Sequence, residues 1–449
     1  MNKIKSFVLN NLPFVLQNIL ISLFNTYQYK VRHRGKYKAW KQYYKNYMYA
    51  SKDDLEREQE KRLNALLHYA KDNSNWYKNI DIECLSNNPF LLKKNIINNL
   101  DDIATISENN AVVSQTGGTT GASMKVLFKE EDIHERYAIL DAFREQYGYT
   151  FGKKTAWFSG KSIVSVKDIN RRVCYRDDLI NKIRFFSTFH INNKNFEIYW
   201  NSLVNLMPEF IVGFPSSVYE ICKIAESKKL KYPGTVKVFF PTAETVSSEH
   251  RITINKVFGC KVIDQYSASE GAPFIIECTS SRLHIHPLTG IFEVIDNAGM
   301  PSNEGNMYVT SFSTKGTPLI RYDIGDRIKL SNSEDECDCG LNFPLVDRIE
   351  GRTNDYVFSA ENGKVNLGNI SNCTKGIKGI QFFQITQNIE SEIEIKVVSD
   401  SSFTSAEQSS FIYALKERVG NKMIIKLKVV PDIPKEKSGK FRMVKNNIL

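Results

Sequence analysis

The pattern of apolar and polar positions divides the chain into three stretches. Near the amino terminus, Val8, Leu12, Val15, Leu16, Ile19, Leu20 and Leu23 recur at helical spacing, interrupted by Asn10, Asn11, Gln17 and Asn18. The run from Phe7 to Phe24 falls short of the ~20 nearly continuous apolar residues of a spanning helix. Two readings stay open for it: an amphipathic helix lying on a membrane, or a helix docked on the protein's own core. No small-residue cleavage site follows, which argues against a removed leader. Residues 52–72 form a charged helical stretch.

From about residue 110, strand and helix patterns alternate. The short apolar strand Ala111–Val113 is followed by a Gly/Thr-rich loop. Then Ile133, Tyr137, Leu140, Phe143 and Tyr147 mark one face of a helix. The alternation runs to about Val262 and predicts α/β layering. From Phe274 to Leu330 the runs are mostly strand, punctuated by Gly and Asn. A smaller unit follows Gly351-Arg352. It holds the alternating strand Glu392–Val398, a helix opening on a capping box from Thr404 to Glu407, and a last strand over 423–430. The expected fold is α/β: a large N-terminal domain of layered sheets and helices, with a small α+β C-terminal domain on a hinge. Its parts are a basic segment over 1–50, a large domain over 51–352 and a mobile domain over 353–449.

Charge adds one feature to this outline. The formal net charge of +10 is concentrated between Lys30 and Lys45, where seven basic residues occur and no acid. The rest of the chain carries about +3 and is nearly balanced. Such a segment, interleaved with Tyr29, Tyr37, Trp40, Tyr43 and Tyr44, suits an anionic surface. No nucleic-acid motif accompanies it, so a nucleic-acid partner is not expected. A peripheral membrane contact through residues 1–48 is. Eight cysteines in a chain of this length, with no leader, point to a reducing cytoplasm rather than a disulfide framework. With the membrane contact, the expected place is the inner face of the membrane.

Five short motifs carry candidate chemistry. Thr116-Gly117-Gly118-Thr119-Thr120-Gly121 has the backbone freedom and hydroxyls to wrap phosphate oxygens, yet lacks the Gly-Lys-Ser/Thr of a Walker loop. Gln265–Glu270 follows the strand Lys261–Ile263, at a carboxyl end where open α/β sheets bind ligands. In Leu319–Asp326, Asp326 follows a glycine and is open to a ribose diol. Gly351–Asp355 lies at the expected domain boundary. Pro434–Arg442 places Lys440 in a Ser-Gly loop suited to carrying one charge to a phosphoryl group. Read singly, these are a turn, a surface loop and a solvated basic tail.

In this order they resemble the adenylate-forming superfamily of acyl-CoA synthetases, luciferases and peptide-synthetase adenylation domains. Within it, the chain looks most like the phenylacetate–CoA ligase and CapK-like branch, over about residues 110–445. The resemblance implies ATP-dependent activation of a carboxylic acid as acyl-AMP, then transfer to CoA or another acceptor. CapK-like relatives are associated with surface polysaccharide synthesis. An amide- or ester-forming ligase acting on a sugar or amino acid without CoA is the alternative, and a non-catalytic membrane- or nucleic-acid-binding homologue a further one. The resemblance implies that Thr116–Gly121 holds the ATP phosphates and that Ala243-Glu244 borders the adenine. Tyr266 packs beside the base, Glu270 helps bind Mg²⁺, and Asp326 binds the ribose. Arg352 lies near ribose and phosphate, Asn354 or Asp355 is the hinge, and Lys440 reaches the α-phosphate. Gly117 stands where the family usually has serine, the loop's downstream proline is missing, and Tyr266-Ser267 replaces Tyr-Gly.

Cys278, His284, Cys337 and Cys339 form a set that the phenylacetate–CoA ligase branch often shows, and Cys₃His suits a structural Zn²⁺. His284 is preferred to His286. Tyr147, Tyr149, Phe214 and Phe240 are expected near the acid. Neither the acid and its acceptor nor the oligomeric state is legible.

Overall fold

The computed structural model describes residues 12–116, 124–161, 163–332, 335–350, 356–366, 369–370, 372–434 and 443–448. Gly117–Gly121, Arg352, Asn354, Asp355 and Lys440 therefore lie outside the described residues, as does the side chain of Thr116.

Two sheets build the large domain. The first has six strands in the order Tyr175–Asp178, Ile183–Ser187, Thr155–Ser159, Phe210–Gly213, Val238–Pro241, Lys261–Val262. All neighbours are parallel except the first pair, a hairpin. Phe210–Gly213 and Val238–Pro241 are buried along their whole length. That is why they read as continuous apolar runs rather than alternating ones. Helices Phe196–Leu206, Pro215–Ser227 and Ser248–Phe258 contribute apolar faces to the core against this sheet. The second sheet is antiparallel, with seven strands from Gly290–Ile295 at one edge to Gln265–Tyr266 at the other. Gln265 and Tyr266 were expected in a loop; instead they pair with Ile276 and Ile275.

One continuous segment belongs to both sheets. Ile263 N–H donates to Phe239 O in the first, and Asp264 O accepts from Glu277 N–H in the second. At this junction the Glu277 side chain, only 1% exposed, receives both arms of Arg251 at 2.9 and 2.8 Å and the Asp264 N–H at 2.6 Å.

The small domain has a four-stranded sheet in the order Ile424–Val429, Glu392–Ser399, Ile380–Ile389, Val444–Asn446, packed on the helix Ser405–Val419. Thr404 caps this helix by accepting from Glu407 N–H. The reciprocal half of the expected capping box is replaced: the Glu407 carboxylate accepts from Lys378 N–H at 3.0 Å. The domains touch through Asn369 Nδ2 and Thr188 Oγ1 at 3.3 Å, and through Asn192 Nδ2 donating to Glu361 O at 3.3 Å.

The amino-terminal segment is fastened to the large domain. In the helix Tyr37–Asn46, Tyr44 is fully buried and donates to Glu135 at 2.6 Å. Arg62 pairs with the same carboxylate and donates to Tyr44 Oη at 2.7 Å, among Trp40, Tyr43 and Phe312. Arg34 meets Glu130 in a bidentate pair, and Lys41 and Lys45 both reach Glu145. Much of the basic segment thus answers acids of the helix Glu130–Glu145, and its aromatic residues are packing groups rather than stacking platforms. No described helix is long and apolar enough to cross a membrane.

Removing one partner from a buried ion pair strands the other charge. We expect Glu135→Ala to lower the free energy of unfolding by about 3–5 kcal/mol, read as a lower urea midpoint with an unchanged slope. A midpoint equal to that of the parent protein would show that Arg62 finds water instead.

Candidate active site

The carboxyl ends of the parallel strands open onto a cleft of about 750 Å³, walled by both sheets and closed on one side by the small domain. Local backbone geometry aims its groups. Gly213 ends a central strand at φ +142°, where a Cβ would stand 1.9 Å from Phe158 O. This lets Phe214 turn into the cleft wall and start the helix Pro215–Ser227. After the neighbouring strand, Ala243 takes the left-handed conformation at φ +65° and turns the chain into Glu244.

Glu244 accepts from Ser216 N–H at 3.1 Å in the first turn of that helix, a favourable place for a negative charge. Its other oxygen, Oε1, is shut off from solvent and has no hydrogen-bond partner. Burial pushes the carboxyl up to about 7. Facing it, Tyr266 Oη donates to Asp326 Oδ2 at 2.9 Å. Glu270 lies on the loop after Tyr266 and lines the same cleft. The structure thus gathers Ala243, Glu244, Tyr266, Glu270 and Asp326 on one cavity.

The loop carrying Ser267–Ala272 is held from below by Arg136. Its guanidinium donates to Gly271 O at 2.8 Å, Ala272 O at 3.1 Å and Ser267 Oγ at 2.8 Å. Ser114, on the strand leading to the Gly/Thr loop, donates to Ser269 O at 3.0 Å, so the two expected nucleotide loops start side by side. At Gly271 a Cβ would fall 2.2 Å from Thr314, and φ is +104°. Burial of Arg136 pulls its pKa down to about 10, which leaves it charged at neutral pH.

Several lining groups had no signal in the sequence. Arg251, Asp264 and Glu277 form the junction cluster in the cleft floor, where burial and the neighbouring Glu277 raise Asp264 to about 6. Asn372 and Lys375 reach in from the small domain. Sequence spacing could not reveal them, because they approach from another unit. Of the aromatic residues expected near an acid, only Phe214 lines the cleft. Among the described residues, Tyr147, Tyr149 and Phe240 pack in the core behind it. Arg321, within the Leu319–Asp326 motif, is structural: it pairs with Glu293 and donates to Ser86 O.

Beside the cleft floor, Cys278, His284, Cys337 and Cys339 converge, with one ligand atom from each within 4.8 Å of the others. Cys278 Sγ and Cys337 Sγ are 3.6 Å apart, and Cys339 Sγ and His284 Nε2 3.5 Å. Bond lengths of about 2.3 Å to sulfur and about 2.1 Å to nitrogen in a tetrahedron put ligands roughly 3.5–3.8 Å apart. His284 Nδ1 lies 2.9 Å from Phe343 O, the backbone contact that orients a ligating ring. His286 is not in the cluster and packs against Tyr44 and Phe343.

Comparison with known proteins bears on the family and the fold. Residues 357–447 match the CapK C-terminal domain. The chain is 30% identical to Protein CapK of Staphylococcus aureus, over 99% of both chains. It also resembles a 2-hydroxyisobutyryl-CoA ligase solved with 2-HIB-AMP and CoA in the thioesterification state. The TM-score is 0.56 at 18% identity, over 89% of this chain and 91% of that one. The same ligase in its postadenylation state, with R3-HIB-AMP, gives 0.51 at 18% identity over 86% and 88%. The chain belongs to the CapK family and has the fold of the adenylate-forming CoA ligases.

Proposed function

We propose that this protein activates a carboxylic acid as its acyl-AMP at the expense of ATP and passes the acyl group to CoA or another acceptor. One observation carries the reading. A single inter-domain cleft at the carboxyl ends of the parallel strands holds the Tyr266–Asp326 pair, Glu270, and Glu244 with an unused acceptor oxygen. The Tyr266 ring suits the face of the base and Asp326 suits the ribose diol, while Glu244 Oε1, closed to solvent here, would meet the exocyclic amine of an adenine only once its side chain turned toward the cleft.

In this reading a substrate carboxylate oxygen attacks the α-phosphorus of ATP. The bond from that phosphorus to the bridging oxygen breaks, and pyrophosphate leaves with the electron pair. The chain's part is to align the two reactants and to offset the charge gathering on the α-phosphate oxygens. Lys440 would deliver a positive charge there from the small domain, with Arg352 beside the ribose and phosphate and Asn354 or Asp355 as hinge. Thr116–Gly121 would hold the β- and γ-phosphates. Glu270 would hold Mg²⁺, which neutralises phosphate charge when bound. Transfer to the acceptor would follow a rotation of the small domain that withdraws Lys440. A role in surface polysaccharide synthesis, by acylating a sugar, is part of this proposal and rests on the family relationship.

The Cys278, His284, Cys337 and Cys339 cluster fits a structural Zn²⁺ by donor type and spacing. It would tie the Cys337–Cys339 turn to the strands that begin in the cleft floor.

Lys440→Ala should reduce carboxylate-dependent ATP–pyrophosphate exchange roughly 100- to 1,000-fold while leaving ATP binding largely intact. Unchanged exchange would remove the assigned lysine, and no exchange by the parent protein with any acid in a broad panel would favour the non-catalytic reading. A second test concerns pH. Because the Glu244 carboxyl is raised to about 7, the folded protein holds a proton there that the unfolded chain releases near 4.5. Its contribution to stability is therefore full below about 4.5 and is lost as pH rises through about 7. A donor from adenine favours the ionised form, so ATP affinity should rise between about pH 6 and 8. Glu244→Gln should flatten that slope, and an unchanged slope would detach Glu244 from the base. For the metal, elemental analysis should return about one zinc per chain. The double variant Cys337→Ser/Cys339→Ser should lose it and melt at lower temperature; zinc-free protein of full stability would overturn the assignment.

A further inference from the structure

The first described helix, Phe14–Arg32, docks on the domain through its polar side. Its buried residues are polar: Gln17 at 3% exposure, Asn18 at 4% and Ser22 at 2%. They face Tyr175–Asp178, the edge strand of the six-stranded sheet, and the turn after it. Asn18 Oδ1 accepts from Asp177 N–H at 3.2 Å and Ser22 Oγ from Leu179 N–H at 2.9 Å. Gln17 Oε1 accepts from the buried Arg176 at 2.7 Å, and Asn25 Nδ2 donates to Asp178 at 2.9 Å. An edge strand leaves a row of backbone groups without sheet partners. Here the helix's polar side chains supply partners for one N–H of the strand, at Asp177, and one of the turn after it, at Leu179. This is the physical reason for the polar interruptions in an otherwise apolar run.

The consequence lies on the other side. Val15, Leu16, Ile19, Leu20, Leu23, Phe24 and Tyr27 all point outward, with Leu23 56% and Phe24 61% exposed. At about 100° per residue they fill one arc along a helix of about 28 Å. The hairpin turn adds Leu179 at 62% and Ile180 at 55%, next to Ser22 and Thr26, so the apolar surface continues past the helix edge. A soluble monomer rarely exposes so large a contiguous patch.

Charge selects the occupant. Residues 1–52 contain ten Lys and Arg and no acid. Lys30, seven residues beyond Leu23 and so on the same arc, is exposed, as are Lys36 and Lys38. Among the described residues none of the three pairs with an acid. A second copy would bring the exposed Lys30, Lys36 and Lys38 of both chains together, whereas a negatively charged lipid surface would offset their charge.

We infer that the outward face of Phe14–Arg32, with Leu179 and Ile180, is a monotopic docking surface for an anionic phospholipid bilayer. The helix lies in the headgroup plane with its polar side clamped to the edge strand, and this inference is independent of the adenylation reading. The clamp leaves the apolar arc in place without lipid, so the surface is built before binding rather than folded by it.

The test is flotation of the full chain with vesicles of phosphatidylglycerol and phosphatidylcholine, compared with phosphatidylcholine alone. The protein should float with the anionic vesicles and much less with the neutral ones. Leu20→Asp/Leu23→Asp should lower vesicle partitioning at least about tenfold while its melting curve stays that of the parent, since both side chains contact solvent. Lys30→Glu should weaken binding to the anionic vesicles alone. The proposal is overturned if the full chain does not float, or if the double variant floats as the parent does. It is also overturned if sedimentation shows a dimer that the double variant dissociates, which would make this face a contact between copies.

Discussion

The architecture turns on one carboxylate. Glu277 is almost without solvent contact at the point where a single segment leaves a parallel sheet and enters an antiparallel one. Arg251, from the helix preceding that segment, and the Asp264 N–H satisfy it together. A buried charge without such partners is costly, so the junction has one stable arrangement. That arrangement sets where Tyr266 and the loop to Glu270 stand relative to Glu244, because Asp264 and Tyr266 are two residues apart on the same chain. The cleft is the space left where the two sheets diverge from this point.

Two further devices keep the cleft open and aimed. Arg136 binds the Ser267–Ala272 loop through backbone carbonyls and Ser267, so the loop is positioned by the helix beneath rather than by its own sequence. Glu244 is held on a helix N-terminus by one oxygen and keeps the other unused. An acceptor held dry and unpartnered costs stability in the free protein, and such a cost persists where binding relieves it. The small domain completes the enclosure with Asn372 and Lys375, groups of opposite character to the acidic floor.

The amino-terminal helix shows how burial can reverse a sequence pattern. Amphipathic helices usually turn the apolar side inward, because water rejects it. Here the docking surface, an edge strand and its turn, offers the Asp177 and Leu179 N–H groups and the Arg176 guanidinium, which a polar face satisfies. The next helix, Tyr37–Asn46, follows the ordinary rule, burying Tyr37 and Tyr44 and pairing its lysines with Glu145. The adjacent helices therefore divide the work: one fastens the segment to the domain, and the other leaves an apolar surface facing out.

The sequence by itself determined the layered α/β class, the strand-rich stretch after residue 274, the small C-terminal unit and the grouping of Cys278, His284, Cys337 and Cys339. Its resemblance to the adenylate-forming superfamily assigned Glu244, Tyr266, Glu270 and Asp326 to one site. Periodicity encodes secondary structure locally, and the motifs are short runs whose order survives in the chain. Tertiary structure decided what those signals do not carry. Tyr147, Tyr149 and Phe240 went to the core and Phe214 to the cleft, because an aromatic side chain satisfies either place. Arg136 and Lys375 reached the site from elements far away in sequence, and no local pattern marks such convergence. The orientation of Phe14–Arg32 was open for the same reason: which face is buried depends on the partner surface, and that surface is made 150 residues later, by Tyr175–Asp178.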